Sequence, residues 1–152
     1  MYLSELPNAP LWRKFTALIY DWLVLAAVCM GYGALVLFIQ VNAFGKTFGE
    51  GEKGDFGTLG FLGLVLLIFA FYCFFWRRGG QTLGMRAWRL QIIANDGKKP
   101  SFLSCIIRGI IAPIGLGVFL LGYLWQLIDK DNQTLHDKLS RTRIILLPKD
   151  KK

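Results

Sequence analysis

From Phe15 to Ile39 the chain runs roughly 25 residues in which Asp21 is the only charge, and the cations Arg13 and Lys14 stand directly before it. About 20 apolar residues suffice for a helix to cross the hydrocarbon core of a bilayer, so this run reads as a membrane span. A cleaved signal peptide is the lesser reading, although Val41, Asn42 and Ala43 would pass as a cleavage site. The apolar block is about twice the usual length of a signal core, and a carboxylate sits inside it. An ionised Asp near the centre of a membrane helix costs about 2.5–3.5 kcal/mol on insertion scales, so Asp21 needs a partner or a water-lined pocket.

The rest of the chain fits a single membrane domain over residues 1–152. Hydrophobic residues make up 54% and charged ones 18%. A second span, Leu59 to Trp76, ends in Arg77 and Arg78. Cations flanking spans mark the cytoplasmic side. The net charge of +8 is accordingly read as topological signalling and contact with anionic lipid headgroups on a basic cytoplasmic face, not as a nucleic-acid surface. Gly31 and Gly33 give the first helix a smooth face for another helix. Val41 to Gly57, rich in glycine and slightly acidic, is expected to be an outward loop. Trp12 and Tyr20 suit a membrane interface.

The stretch Gly79 to Ser104 is soluble in character, with a short element at Gln81–Arg86, a strand at Trp88–Ala94 and a turn at Asn95-Asp96-Gly97. Beyond Pro100, residues Ser101, Ser104 and Arg108 share one face of an amphipathic helix at the cytoplasmic surface. The third hydrophobic segment, about 106–128, is interrupted at Pro113, Gly115 and Gly117. A single crossing would put the seven cations that follow Ile128 outside, against the positive-inside rule.

An internal repeat bears on that choice. The pattern Q-T-L-x-x-[RK]-x-x-R-x-x-I-I occurs from Gln81 and again from Gln133, each time after a hydrophobic segment. Each copy reads as a capped turn of helix leading to a strand. If WRLQIIA and TRIILL pair, both lie on the cytoplasmic side, and the segment between them must return. Twenty-three residues are too few for two full crossings, so the alternatives are a re-entrant hairpin broken at Pro113–Gly117, with the break beside the first two helices, or one third span.

Arg13, Asp21, the run Gly80-Gln81-Thr82-Leu83-Gly84-Met85-Arg86, the turn at Asp96-Gly97 and Gln133 to Thr142 together resemble the bacterial RDD family of small membrane proteins, named for one arginine and two aspartates. The resemblance covers nearly the whole chain. It implies that Arg13 takes the arginine position, Asp21 the first aspartate and Asp137 the second, with Asp129 the lesser assignment. It implies a multi-pass protein of the bacterial inner membrane, N-terminus cytoplasmic, with Gly80, Gln81, Thr82, Gly84, Gln133, Thr134 and His136 as motif residues. The family's activity is unsettled, with transport, including of cations, among its suggested roles.

Two roles fit Asp21. As an in-membrane acid it would exchange a proton for a cation in a transporter. As a polar lock it would pair with a cation such as Arg108, within reach of a snorkelling side chain, in a non-transporting assembly or accessory protein. For Asp21 itself the lock is favoured, because it needs one partner where transport needs a pathway, while for the protein as a whole a transport-related role is the leading expectation and a non-transporting assembly or accessory protein the alternative. Arg13 reads first as a topology anchor. Asp137 fits a capping box begun by Thr134. His136 and Asp137, as helical neighbours, do not face each other as an acid–base pair. Gly115-x-Gly117 lacks the rest of a phosphate loop. No catalytic residue, metal or cofactor is expected: His136 is the only histidine, and Cys29, Cys73 and Cys105 lack ligand spacing and read as small buried hydrophobes. With about three spans, a transport path would call for a homo-oligomer.

Overall fold

A computed structural model describes residues 3–45, 57–118 and 121–148. Two helices are long and apolar enough to cross a membrane, α1 (Leu11–Phe44) and α2 (Gly57–Arg78). At 34 residues, α1 extends about 50 Å, well beyond a hydrocarbon core of about 30 Å. The expected loop therefore begins later than Val41, which is still helical, as is Phe44. Gly45, with φ +61°, closes the helix through its N–H to the Gln40 carbonyl. Residues 46–56 of that expected loop lie outside the described ones.

Both helices turn large apolar side chains outward, among them Leu23, Met30, Phe38, Leu59, Phe61 and Leu66. A surface of this kind is stable against lipid and not against water. The close approach of the two helices uses α2 glycines, not Gly31, beside which nothing packs. Tyr32 donates its hydroxyl to the Gly60 carbonyl at 2.8 Å, and a Cβ on Gly63 would meet that hydroxyl at 2.3 Å.

Beyond α2 come α3 (Leu83–Ala87), β1 (Leu90–Ala94), the bent pair α4 (Phe102–Gly117) and α5 (Leu121–Ile128), α6 (Leu135–Leu139) and β2 (Thr142–Leu146). β1 and β2 pair antiparallel, with Ile92 opposite Ile144. Those two residues are also equivalent in the sequence repeat, whose copies lie 52 positions apart. The ladder therefore maps onto itself when the copies are exchanged: Leu90 opposes Leu146, and their counterparts Thr142 and Ala94 oppose each other. The backbone follows the same rule. Gly80 (φ +69°) and Asn132 (φ +52°) are equivalent, and so are Arg89 (φ +56°) and Arg141 (φ +52°). The repeat is thus a local two-fold of helix, left-handed turn and strand.

One face of the ribbon, with Leu90, Ile92 and Ile144, packs under Ala17, Cys73, Trp76, Met85 and Cys105. The other face, Ile93 and Ile145, is covered by Leu6. Residues 7–9 run along β2, with Ala9 N–H to the Ile144 carbonyl at 2.8 Å and Leu146 N–H to the Pro7 carbonyl at 3.0 Å. Pro7 and Pro10 cannot donate and suit such an edge.

α4 and α5 meet at 93°. The break falls after Gly117, later than expected, and Pro113 lies within α4. Gly115 and Gly122 allow the two helices to touch, since a Cβ on Gly122 would stand 2.8 Å from the Gly115 Cα. α4 starts beside the end of α2, where the Arg77 guanidinium lies over the Phe102 ring. α5 ends beside the start of α1, where Gln126 donates to the Ala9 carbonyl at 2.9 Å. Both ends of the bent segment therefore sit at the end of the molecule where α1 begins and α2 finishes. A single crossing would have separated β1 from β2.

Candidate functional site

The buried residues of α1 are Lys14, Ala17, Asp21 and Leu25, a stripe at helical spacing facing the ribbon and the bent segment. Arg13 lies off that stripe, partly exposed, its guanidinium over the Trp12 ring. The buried charge that α1 brings to the site beside Asp21 is thus Lys14, a cation that by sequence alone marks only the cytoplasmic end of the span. The 3–4 spacing of Lys14, Ala17 and Asp21 was the available signal.

Asp21, 3% exposed, does not pair with Arg108. Its carboxylate is turned onto α3: Oδ2 accepts from the Thr82 hydroxyl at 2.6 Å and Oδ1 from the Gly84 N–H at 2.8 Å. Thr82 is the N-cap of α3 and accepts in turn from the Met85 N–H at 3.2 Å. The first amides of a short helix have no internal acceptors, and a carboxylate at that end meets both the unpaired N–H groups and the positive end of the dipole. Gly84 makes the approach possible, because a Cβ there would lie 2.1 Å from the Ala17 carbonyl oxygen.

The equivalent α6 carries its own carboxylate. Asp137 accepts the Thr134 N–H at 3.2 Å, the reciprocal half of a capping box. It also binds two cations: Lys14 Nζ at 2.9 Å on Oδ2, and Arg108 Nη1 on Oδ1. Arg108 Nη1 further donates to the Thr142 hydroxyl at 3.0 Å, which is joined to Ser140 at 2.7 Å. Nothing in the spacing of the sequence brings α1, α4 and α6 together at one carboxylate. Only the fold does.

Burial by itself would raise the Asp137 pKa, but Arg108 and then Lys14 outweigh it and hold the carboxyl well below the usual range. His136, 2% exposed, has its pKa lowered to about 3, first by burial and then by the Arg108 charge, so its ring is neutral. The ring packs against Tyr123 with centroids 4.7 Å apart, and its Nε2 meets the Thr134 hydroxyl at 2.9 Å.

The other motif residues serve the backbone. Gln81 donates from Nε2 to the Leu90 carbonyl at 2.7 Å. Gly80 takes the Ile92 N–H at 2.7 Å on its carbonyl, and a Cβ there would stand 2.8 Å from the Ile92 oxygen. The Gln133 N–H reaches Asp129 Oδ2 at 3.0 Å. Asp129, paired with Lys138, stays apart from the buried cluster. Among the described residues, no three His, Cys, Asp or Glu side chains converge as a metal site would require.

A cavity of about 380 Å³ has Lys14, Asp21, Arg108 and His136 in its wall and mostly apolar side chains around them.

The model of the RDD family matches residues 8–141, from the strand-like N-terminal segment through α6 and both carboxylate centres. The chain belongs to the RDD family. No curated protein and no solved structure matches this RDD chain. Its family membership and its apolar helices make it a membrane protein with more than one span.

Proposed function

We propose that this RDD protein is a non-transporting, non-enzymatic assembly or accessory protein of the bacterial inner membrane, in which the polar residues lock the helices together. The observation that carries this reading is that the buried carboxylates are already bound within the fold: Asp137 by Lys14 and Arg108, and Asp21 by the α3 N-terminus. A carboxylate committed to Thr82 and Gly84 is poorly placed to exchange a proton for a cation at each turnover. The positive-inside rule supports a cytoplasmic N-terminus. The cations of the ribbon end suit anionic headgroups there.

The second reading is cation or proton translocation with Asp21 as the in-membrane acid, through a homo-oligomer. It is favoured by the presence of Asp21 in the cavity wall. Proteoliposomes containing the wild type and Asp21→Asn separate the two. The lock predicts no cation or proton flux above protein-free vesicles, and a lower thermal midpoint for the variant. Wild-type flux that Asp21→Asn abolishes at unchanged midpoint would replace the lock with the transporter.

A further inference from the structure

The cavity is polar at one end and apolar at the other. Along α1 its wall runs from Lys14 to Leu25, eleven residues or roughly 16 Å of helix. Lys14, Arg108 and His136 stand at the near end, and Leu25, Ile68 and Leu116 belong to the far wall. A volume of about 380 Å³ is within the range of roughly 300–1,000 Å³ typical of small-molecule sites.

The polar end has spare capacity for an anion. Two cations share one carboxylate, Asp137, so the cluster carries one net positive charge in a low-dielectric setting, where an unmatched charge is costly. Asp21 does not cancel it locally, since it lies two helical turns from Lys14 and is turned onto α3. Both bonds of Arg108 to Asp137 and Thr142 come from Nη1, leaving Nε and Nη2 outside those two contacts. The buried His136 Nδ1 has no hydrogen-bond partner among the described residues, in a cluster where nearly every other polar atom is bonded.

We propose that this cavity binds a long-chain fatty acid, the carboxylate held at Lys14, Arg108 and His136 and the chain lying between α1, α2 and α4. This goes beyond the lock and does not depend on it. An apolar chain with a compact anionic head matches the apolar far wall and the unmatched positive charge together.

Trp22 and Trp76 both border the cavity, but Trp76 is 7% exposed and reports occupancy from inside, whereas Trp22 is half-exposed. The test is titration of the full chain in nanodiscs, with Trp12, Trp22, Trp88 and Trp125 changed to Phe, by dibromostearic acid. The expected result is saturable quenching of Trp76, at least ~10-fold weaker with the corresponding brominated alcohol, which lacks the charge that pairs with the cations. Ala112 on α4 also lines the cavity, and filling it from there with Ala112→Phe removes the saturable phase at unchanged thermal midpoint. Leu25→Phe serves the same purpose from α1 should the first variant fail to fold. Non-saturable quenching equal for acid and alcohol, or saturation that both filling variants leave intact, overturns the proposal. Displacement of the bromo acid by phosphatidylglycerol at low molar ratio overturns the commitment to a free fatty acid, in favour of a bilayer lipid.

Discussion

Asp137 joins three elements at one side chain, so its removal exposes the cost of the charges it balances. Taking one partner out of a buried ion pair costs about 3–5 kcal/mol, because the remaining charge stays buried and uncompensated. Here two cations would be left. Asp137→Asn is therefore expected to destabilise the protein by about that amount, read as a fall in thermal midpoint in detergent, while Asp129→Asn, outside the buried cluster, should lower the midpoint far less. Acid weakens the same cluster by two routes. His136 is neutral when folded, with a pKa near 3 against 6.5 in an unfolded chain. Between those values the unfolded chain holds the extra proton, so stability falls as pH falls, by at most about 1.4 kcal/mol per unit. Asp137 has its pKa depressed by folding, so its contribution is complete above about pH 4 and is lost only below it. Thermal midpoints from pH 7 to 4 should thus decline in the wild type and run flat in His136→Gln. A slope unchanged by that substitution would assign it to other groups. Part of this was legible: the need of Asp21 for a partner and the capping box at Asp137 both follow from residue type and spacing. The identity of the partners was not. Thr82 and Gly84 lie more than 60 positions from Asp21, and a carboxylate satisfied by a hydroxyl and an amide leaves no charge pattern to read.

Among the elements, α3 and α6 show one repeat unit completed in two ways. At α6 the carboxylate belongs to the helix, at the position that α3 fills with Met85, and α3 borrows Asp21 from α1. The borrowing requires contact between helix backbones, and Gly84 permits it. Gly84→Ala would push a methyl into the Ala17 carbonyl and lengthen the bond to Asp21. Overpacking of this kind costs about 1–3 kcal/mol, and the loss should appear as a lower midpoint with faster hydrogen exchange at the Gly84 and Met85 amides. In the equivalent position α6 carries His136, so His136→Gly should leave the α6 amides protected. The strands and their pairing could be read from the repeat, since two equivalent strands related by a two-fold must meet at equivalent residues. The position of the break could not. Pro113 and the nearby glycines signal irregular backbone, but a proline within a helix loses only one hydrogen bond, and the chain turns later, where Gly115 and Gly122 let α4 and α5 touch.

For the molecule as a whole, the sheet decides the topology. A two-stranded ribbon forms only if its strands are on one side of whatever separates them, and β1 and β2 flank the bent segment. That segment starts against α2 and finishes beside the start of α1, so both of its ends lie at the same end of the molecule. The buried charges reinforce this arrangement, because Arg108 on α4 reaches Asp137 only if α4 begins beside α6. A reporter fused after Lys152 should therefore lie on the same side of the membrane as one fused before Met1, and thiol labelling of Glu5→Cys and Asp96→Cys should agree with both. A cross-link offers a finer check. Gln91 and Ile145 are opposed in the ladder, so the double variant Gln91→Cys, Ile145→Cys should form a disulfide within one chain. Fusions on opposite sides, or a bridge that forms only between chains, would mean that the third segment crosses, and the two-fold, the shared carboxylate and the cavity wall on α4 would then all have to be abandoned together.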